Sequence, residues 1–151
     1  MNYWLMKSEP DAFSIDDLRS RGADGEPWDG VRNYQARNFM WHDMSVGDRV
    51  LFYHSSCKDV GVAGIAEIIS EAVPDESQFN PESPYYDPKA TADKPRWYLR
   101  QVRFVEKFPT IIPLALLKKQ SALVDMALLK RGRLSVSPVT ESEWHAVLSL
   151  S

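Results

Sequence analysis

The chain holds few of the residues that most often announce catalysis. Cys57 is the only cysteine in 151 residues, so no internal disulfide can form, and a lone thiol suits a reducing compartment. The three histidines, His42, His54 and His145, do not pair with one another, or with Cys or Glu, at the spacing of a metal site. No metal and no cofactor are expected. Gly61 and Gly64 fall inside a strand pattern with no Gly-Lys-Ser/Thr behind them, which argues against a phosphate-cradling loop. No apolar run approaches the roughly 20 residues that span a bilayer. Met1 to Lys7 has neither the charged start nor the long apolar stretch of a secretory signal. A soluble protein of the cytoplasm is expected, nucleoid-associated if bacterial, with no membrane partner. Charge of one sign is also scarce: the formal net charge is -3, so bulk electrostatics do not announce a nucleic-acid binder.

What is present reads as one globular domain spanning residues 1–151. Hydrophobic residues make up 44% and charged residues 26%, enough for a core at this length. Positive charge gathers late: from Gln101 onward seven Lys and Arg face four Asp and Glu. Arg96, Arg100 and Arg103 sit close together, as do Lys130, Arg131 and Arg133; taken alone, each cluster reads as a solvated face.

Tyr3 to Met6 reads as a first strand closed off by Pro10. Ser14-Ile15-Asp16-Asp17 reads as a capping box opening a helix to about Ser20. Gly22 to Gly30 is a loop, and a helix over about Asn33 to Trp41 points Ala36, Phe39 and Met40 at the core. Arg49 to His54 and Val60 to Ser70 read as strands, the second with Gly61 and Gly64 at a bend or close backbone approach. Pro74 to Pro95 is a long proline-rich loop, expected to be ordered by burying Tyr85 and Tyr86 and to border the site. Arg96 to Phe108 is a β segment, Pro113 opens a helix, and another runs from about Leu123 to Arg131 before Gly132. Leu134 to Val136 is a last strand, and a Thr140–Glu143 capping box starts a helix with Trp144, Val147 and Leu148 inward. About five strands with short helices and no βαβ rhythm predict an α+β fold, a mostly antiparallel curved sheet or barrel.

Three segments mix polar and aromatic residues at element ends: Lys7-Ser8-Glu9-Pro10, Trp28 to Asn38, and Phe52-Tyr53-His54-Ser55-Ser56. Strand ends and helix starts are where pockets form. A planar ligand needs an aromatic wall and a few fixed donors and acceptors at its edge, and these segments supply both. Read plainly, Trp28 and Tyr53 are instead core residues, Asn33 an N-cap, His54 a hydrogen-bonded strand end, and Cys57 a half-buried thiol with no base to activate it.

The same residues resemble the EVE domain, a PUA-like family related to the YTH and ASCH domains. The resemblance runs through Lys7-Ser8-Glu9-Pro10, Trp28 to Asn38, Gly47-Asp48, Leu51 to Ser55, Gly64-Ile65-Ala66, Tyr86-Asp87-Pro88-Lys89, Trp97 and Arg133 to Val136. It implies a PUA-like barrel of five or six strands. It also implies binding of modified bases, as in the YTH domain, which holds N6-methyladenosine in an aromatic cage. EVE domains are proposed to read modified cytosines in DNA and often accompany restriction systems; no catalytic activity is established for the family.

On this reading the partner is nucleic acid with modified bases, DNA ahead of RNA. Lys7, Ser8, Glu9, Trp28, Gly30, Val31, Asn33, Tyr34, Tyr53, His54, Ser55 and Ser56 are expected to hold the base. Trp28, Ser8, Asn33 and Ser55 are expected to line one pocket. Arg32, Arg37, Lys58, Lys89 and Arg133 are expected to meet phosphates, since the net charge repels DNA. The base must leave its stack; stacking on an aromatic ring contributes roughly 1–3 kcal/mol, and a buried methyl only about 1 kcal/mol. A small cyclic solute with an acidic group would imitate base and phosphate and is expected to enter the pocket. The alternatives are a nuclease-like enzyme of ASCH type using Lys7, Glu9, Tyr53 or His54, or a sensor of a free nucleoside-like molecule.

Overall fold

The computed structural model describes residues 1–151. In chain order the elements are β1 (Tyr3–Ser8), α1 (Ile15–Ser20), β2 (Glu26–Pro27), α2 (Tyr34–Asn38), β3 (Arg49–His54), β4 (Gly61–Ile68), β5 (Val73–Pro74), β6 (Tyr98–Leu99), β7 (Gln101–Pro113), α3 (Leu114–Leu117), α4 (Ala127–Lys130), β8 (Val136–Val139) and α5 (Glu141–Leu148). Six strands form one curled sheet in the order β2-β7-β4-β3-β1-β8, and β5 and β6 form a small ribbon beside it. β1 runs parallel to β3; every other pair is antiparallel. This is an α+β fold, a curled mixed sheet with short flanking helices. No helix is long and apolar enough to cross a membrane.

Alternation along the central strands builds two cores. Trp4, Met6, Val50 and Phe52 face one side with Ile15, Leu18, Ala36 and Met40 from α1, α2 and the turn after α2. Leu5, Leu51 and Tyr53 face the other, against Leu117, Leu128, Trp144 and Val147 from α3 to α5. Side chains along a strand point alternately to opposite faces, so a strand covered on both sides must be apolar almost throughout. That is why Val50-Leu51-Phe52-Tyr53 has no polar gap.

Curvature enters where β4 meets β7. Val62 pairs with Ile112 but Gly64 with Lys107, so Phe108 to Ile111 bulge out opposite Ala63. Pro109 sits in that bulge, where it breaks no ladder bond. The strand therefore continues to Pro113 instead of ending at Phe108. Gly61 and Gly64 permit the close pairing: a Cβ there would lie 2.1 Å from the Ile112 carbonyl oxygen and 2.2 Å from that of Glu106.

Other sequence readings shift for local reasons. The last strand is Val136–Val139 instead of Leu134 to Val136; Pro138 is tolerated because β8 is the sheet edge. The helix over 33–41 splits into α2 and a π-helical turn, Phe39–Asp43, closed by a bond from Met44 N–H to the Phe39 carbonyl. Arg100, grouped with solvated charges, is buried. Its guanidinium donates to the carbonyls of Met40 and Met44 at 2.6 Å and of Ser70 at 3.2 Å. It thereby satisfies acceptors that the wide turn leaves open. The helix over 123–131 is a 3-10 turn, Ser121–Leu123, followed by α4. Both capping boxes form, Ser14 with Asp17 and Thr140 with Glu143. In Gly47-Asp48, the buried Asp48 carboxylate accepts from Trp4 Nε1 at 3.0 Å and from the backbone N–H groups of Asn2 and Ser45.

Candidate functional site

A cleft of about 590 Å³ opens between the end of β1, the segment after β2 and the proline-rich loop, a size typical of small-ligand sites. Lys7, Ser8 and Glu9 line one side. Trp28, Asp29, Gly30, Val31, Arg32 and Asn33 line another, and Tyr85 and Ser135 close the rim. β2 delivers the second group: Glu26 and Pro27 pair with β7, and Trp28 N–H extends the ladder to the Arg100 carbonyl at 2.9 Å. The Trp28 ring packs edge-on against Phe52 at 5.5 Å and is only 9% exposed. It is both core and cleft wall. Asn33 likewise lines the cleft and caps α2, its side-chain oxygen accepting from Ala36 N–H at 3.0 Å.

The cleft is polar at its edges. Lys7 Nζ donates to the Gly132 carbonyl at 2.6 Å and lies 5.8 Å from the Tyr53 ring centre; burial lowers its pKa. The Ser8 hydroxyl donates to the Phe13 carbonyl. Burial, reinforced by the Asp75 charge, raises the Asp29 pKa.

Asp75 organises this side of the site. Its buried carboxylate accepts from Gly30 N–H at 2.8 Å, Arg32 Nη1 at 3.2 Å, and the Ser77 N–H and hydroxyl. Burial pushes its pKa up, but the bonds from Ser77 and Gly30, with Arg32 beside it, outweigh that and hold it below the usual value. Gly30 has φ +80°, and a Cβ there would lie 2.6 Å from the Tyr85 ring, so only glycine fits. The proline-rich loop borders the cleft but is ordered differently from expectation. Tyr85 and Tyr86 are each 41% exposed, whereas Asp75 and Gln78 are buried. Gln78 bonds both the Trp97 N–H and carbonyl, and Asp87 accepts from Trp97 Nε1 at 2.8 Å.

Several expected site residues lie elsewhere. Tyr53 is buried in the second core, with burial raising its pKa to about 12. His54 faces a different cleft, shared with Asp16, Lys58 and Lys107. Its Nε2 accepts from Ile15 N–H at 3.1 Å, and burial lowers its pKa. Ser55 meets the site only through its backbone N–H, bonded to the Ser8 carbonyl, and the exposed Ser56 takes a φ of 53°. Lys7 and Glu9 are therefore not gathered with His54 into one constellation. Tyr34, 47% exposed, stacks on Trp97 at 4.8 Å beside the cleft, with Arg37 4.7 Å from its ring centre.

Among the expected phosphate contacts, Arg32 turns inward. Its Nε and both Nη donate to the carbonyls of Tyr85 and Val31, Asp75 and Ser77, which uses all five donors of a guanidinium. Lys89 and Arg133 are exposed, and Arg133 follows Gly132, the acceptor for Lys7. Asp75 and Ser135 have no place among the expected site residues, and Asp29 and Tyr85 enter only through the Trp28 to Asn38 segment and the proline-rich loop. Asp75-Glu76-Ser77 is readable as an Asx turn, but nothing local says that it faces Gly30.

The EVE domain family profile matches residues 2–150. The chain belongs to the EVE domain family. Human thymocyte nuclear protein 1 is 43% identical, over 99% of this chain and 73% of that protein. A solved protein from Pseudomonas putida superposes with a TM-score of 0.93 at 52% identity, covering 98% of each chain. Human THYN1 protein, solved in complex with DNA containing 5-methylcytosine, superposes at 0.94 with 43% identity, covering 99% of this chain and 97% of that one. The YTH domain of Zygosaccharomyces rouxii MRB1 reaches 0.53 at 15% identity, covering 99% and 85%, which places the EVE sheet and the YTH sheet in one fold.

Proposed function

We propose that the Trp28 cleft holds a modified base of nucleic acid, DNA ahead of RNA, as a reader that performs no chemistry on it. The observation that carries this is the cleft itself, where the Trp28 wall meets the polar residues Lys7, Ser8, Glu9 and Asp29 at the ends of β1 and β2. The 5-methylcytosine DNA held by the human homologue supports the same reading and favours a methylated cytosine. Trp28 stacks on one face of a base taken out of its helix. Lys7, Ser8, Glu9, Gly30, Val31 and Asn33 surround its edge, and Tyr34 offers a further ring outside the cleft. Lys89 and Arg133 are the exposed cations available to phosphates; Arg37 already donates to the Arg96 carbonyl and to Asn38 Oδ1. Arg32 fastens the wall, and Lys58 lies at the other cleft. Ring-shaped solutes with an acidic group compete for the same space.

The test is a binding titration against matched oligonucleotides carrying cytosine, 5-methylcytosine, 5-hydroxymethylcytosine or N6-methyladenine, with cleavage products monitored. Trp28→Ala should weaken binding of the preferred base by about 1–3 kcal/mol, the contribution of one stacking surface. Trp28 also supports the core, so Lys7→Gln, which leaves the core intact, should weaken binding as well. Parent-like affinity in both folded variants would remove the cleft from base binding.

A further inference from the structure

We propose that the open face of the Tyr34 ring takes the base next to the one in the Trp28 cleft, so that the partner is an unpaired strand giving one base to the cleft and the next to the ring. This rests on the base-binding reading above and deepens it by naming the form of the nucleic acid. A duplex that gives up one base keeps the neighbours paired and stacked. An unpaired strand can lay each base on its own aromatic ring, because every base has a π face.

The geometry around Tyr34 leaves one face of the ring free. Its inner face stacks on Trp97, with ring centres 4.8 Å apart and planes 24° from parallel. The Arg37 guanidinium lies 4.7 Å from the Tyr34 centre and 5.8 Å from the Trp97 centre. A cation on the outer face would stand from Trp97 by almost the sum of the first two separations, so Arg37 sits at the flank. Arg96 lies 5.7 Å from the Tyr34 centre and donates to the phenol oxygen, which puts it at the hydroxyl end of the ring. The outer face is left open, and Tyr34 is 47% exposed. The ring is also held before any ligand arrives. Arg37 is tied to the Arg96 carbonyl at 2.9 Å, and the buried Trp97 donates from Nε1 to Asp87 at 2.8 Å. An aromatic ring has few torsions to lose, and this one is already ordered, so stacking on it costs little entropy. Tyr34 directly follows Asn33, which lines the cleft. From Trp97 the contacts continue to the cleft rim: the Arg32 guanidinium is 5.2 Å from the Trp97 centre and 5.4 Å from that of Tyr85.

The probes are short single strands with one central 5-methylcytosine: intact, with the central base removed, and with the base on either side removed. Removing one of the two neighbours should weaken binding to the parent by about five- to hundredfold, the range of one base–ring stack. Tyr34→Leu keeps an apolar cover on Trp97 but has no π face. It should bind the intact strand about as weakly as the parent binds the strand lacking that neighbour, and should no longer sense the missing base. Tyr34→Phe, which loses only the hydroxyl, should respond as the parent does. If the leucine variant does not fold, Tyr34→Met repeats the comparison with a longer apolar cover. A matched duplex, with both neighbours paired, should bind the parent less tightly than the single strand. A parent indifferent to both neighbours, a Tyr34→Leu that still senses the same one, or a duplex that binds as tightly as the single strand overturns the proposal. Removal of the central base tests the cleft separately. If that removal weakens binding, the base-binding reading stands whatever becomes of Tyr34; if it does not, that reading falls and the proposal with it.

Discussion

Replacing Asp75 by alanine would unfasten the cleft from the proline-rich loop. The Asp75 side chain is 2% exposed and Arg32 is 22% exposed. The carboxylate gathers four donors, from Gly30 and Arg32 on the wall and from Ser77 on the loop. Breaking a buried charged pair by removing one partner costs about 3–5 kcal/mol. Arg32 retains partial access to water and its bonds to the Tyr85 carbonyl, which puts Asp75→Ala near the lower end, about 3 kcal/mol. At roughly 2–4 °C per kcal/mol for a chain of this size, the melting temperature should fall by about 6–12 °C. Amide exchange should speed up at Gly30, which loses its acceptor, and at Ser77 and Tyr86. The acid limb carries a second signature. Because the folded pKa of Asp75 is lowered, its contribution is complete above the unfolded value of about 3.9 and is lost as pH falls through the folded value. Parent stability should therefore drop more steeply below about pH 4 than that of Asp75→Ala. A variant melting within about 2 °C of the parent, with Gly30 still protected, would refute the role given to this carboxylate.

Two further predictions concern the scaffold. His54 has a lowered pKa in the fold, so the unfolded chain binds the extra proton first. Stability should be full above about pH 6.5 and should decline as pH falls from there through the folded value, a slope that His54→Gln should flatten in melts across pH 5 to 7. Arg100→Met should leave the carbonyls of Met40 and Met44 without donors and lower stability by about 2–4 kcal/mol in denaturant titrations; an unchanged midpoint would show that water replaces the guanidinium.

Local rules settled much of this protein in advance. The period-2 runs of β1 and β3, the capping boxes at Ser14 and Thr140, and the turn at Gly47-Asp48 were legible because each depends on residues a few positions apart. So was the concentration of Trp28, Gly30 and Asn33 in one odd segment. The two roles of Trp28, wall and core, and of Asn33, lining and cap, were foreseen as rivals, yet a side chain with two faces fills both.

What the sequence left open depends on pairs far apart in the chain. Asp75 faces Gly30 across 45 residues, and Lys7 reaches Gly132 across 125. Arg100 looks like surface charge until the π-helical turn lays carbonyls around it. His54 pairs with Ser8 in register and shares the Phe52 face, yet α1 packs over it, the Ile15 N–H donates to its Nε2, and it lines the other cleft. Pattern and capping chemistry are local and can be read from neighbours. The partner of a buried charge, and the cleft that a strand-end residue lines, are fixed only when distant segments meet and every buried polar group must find a bond.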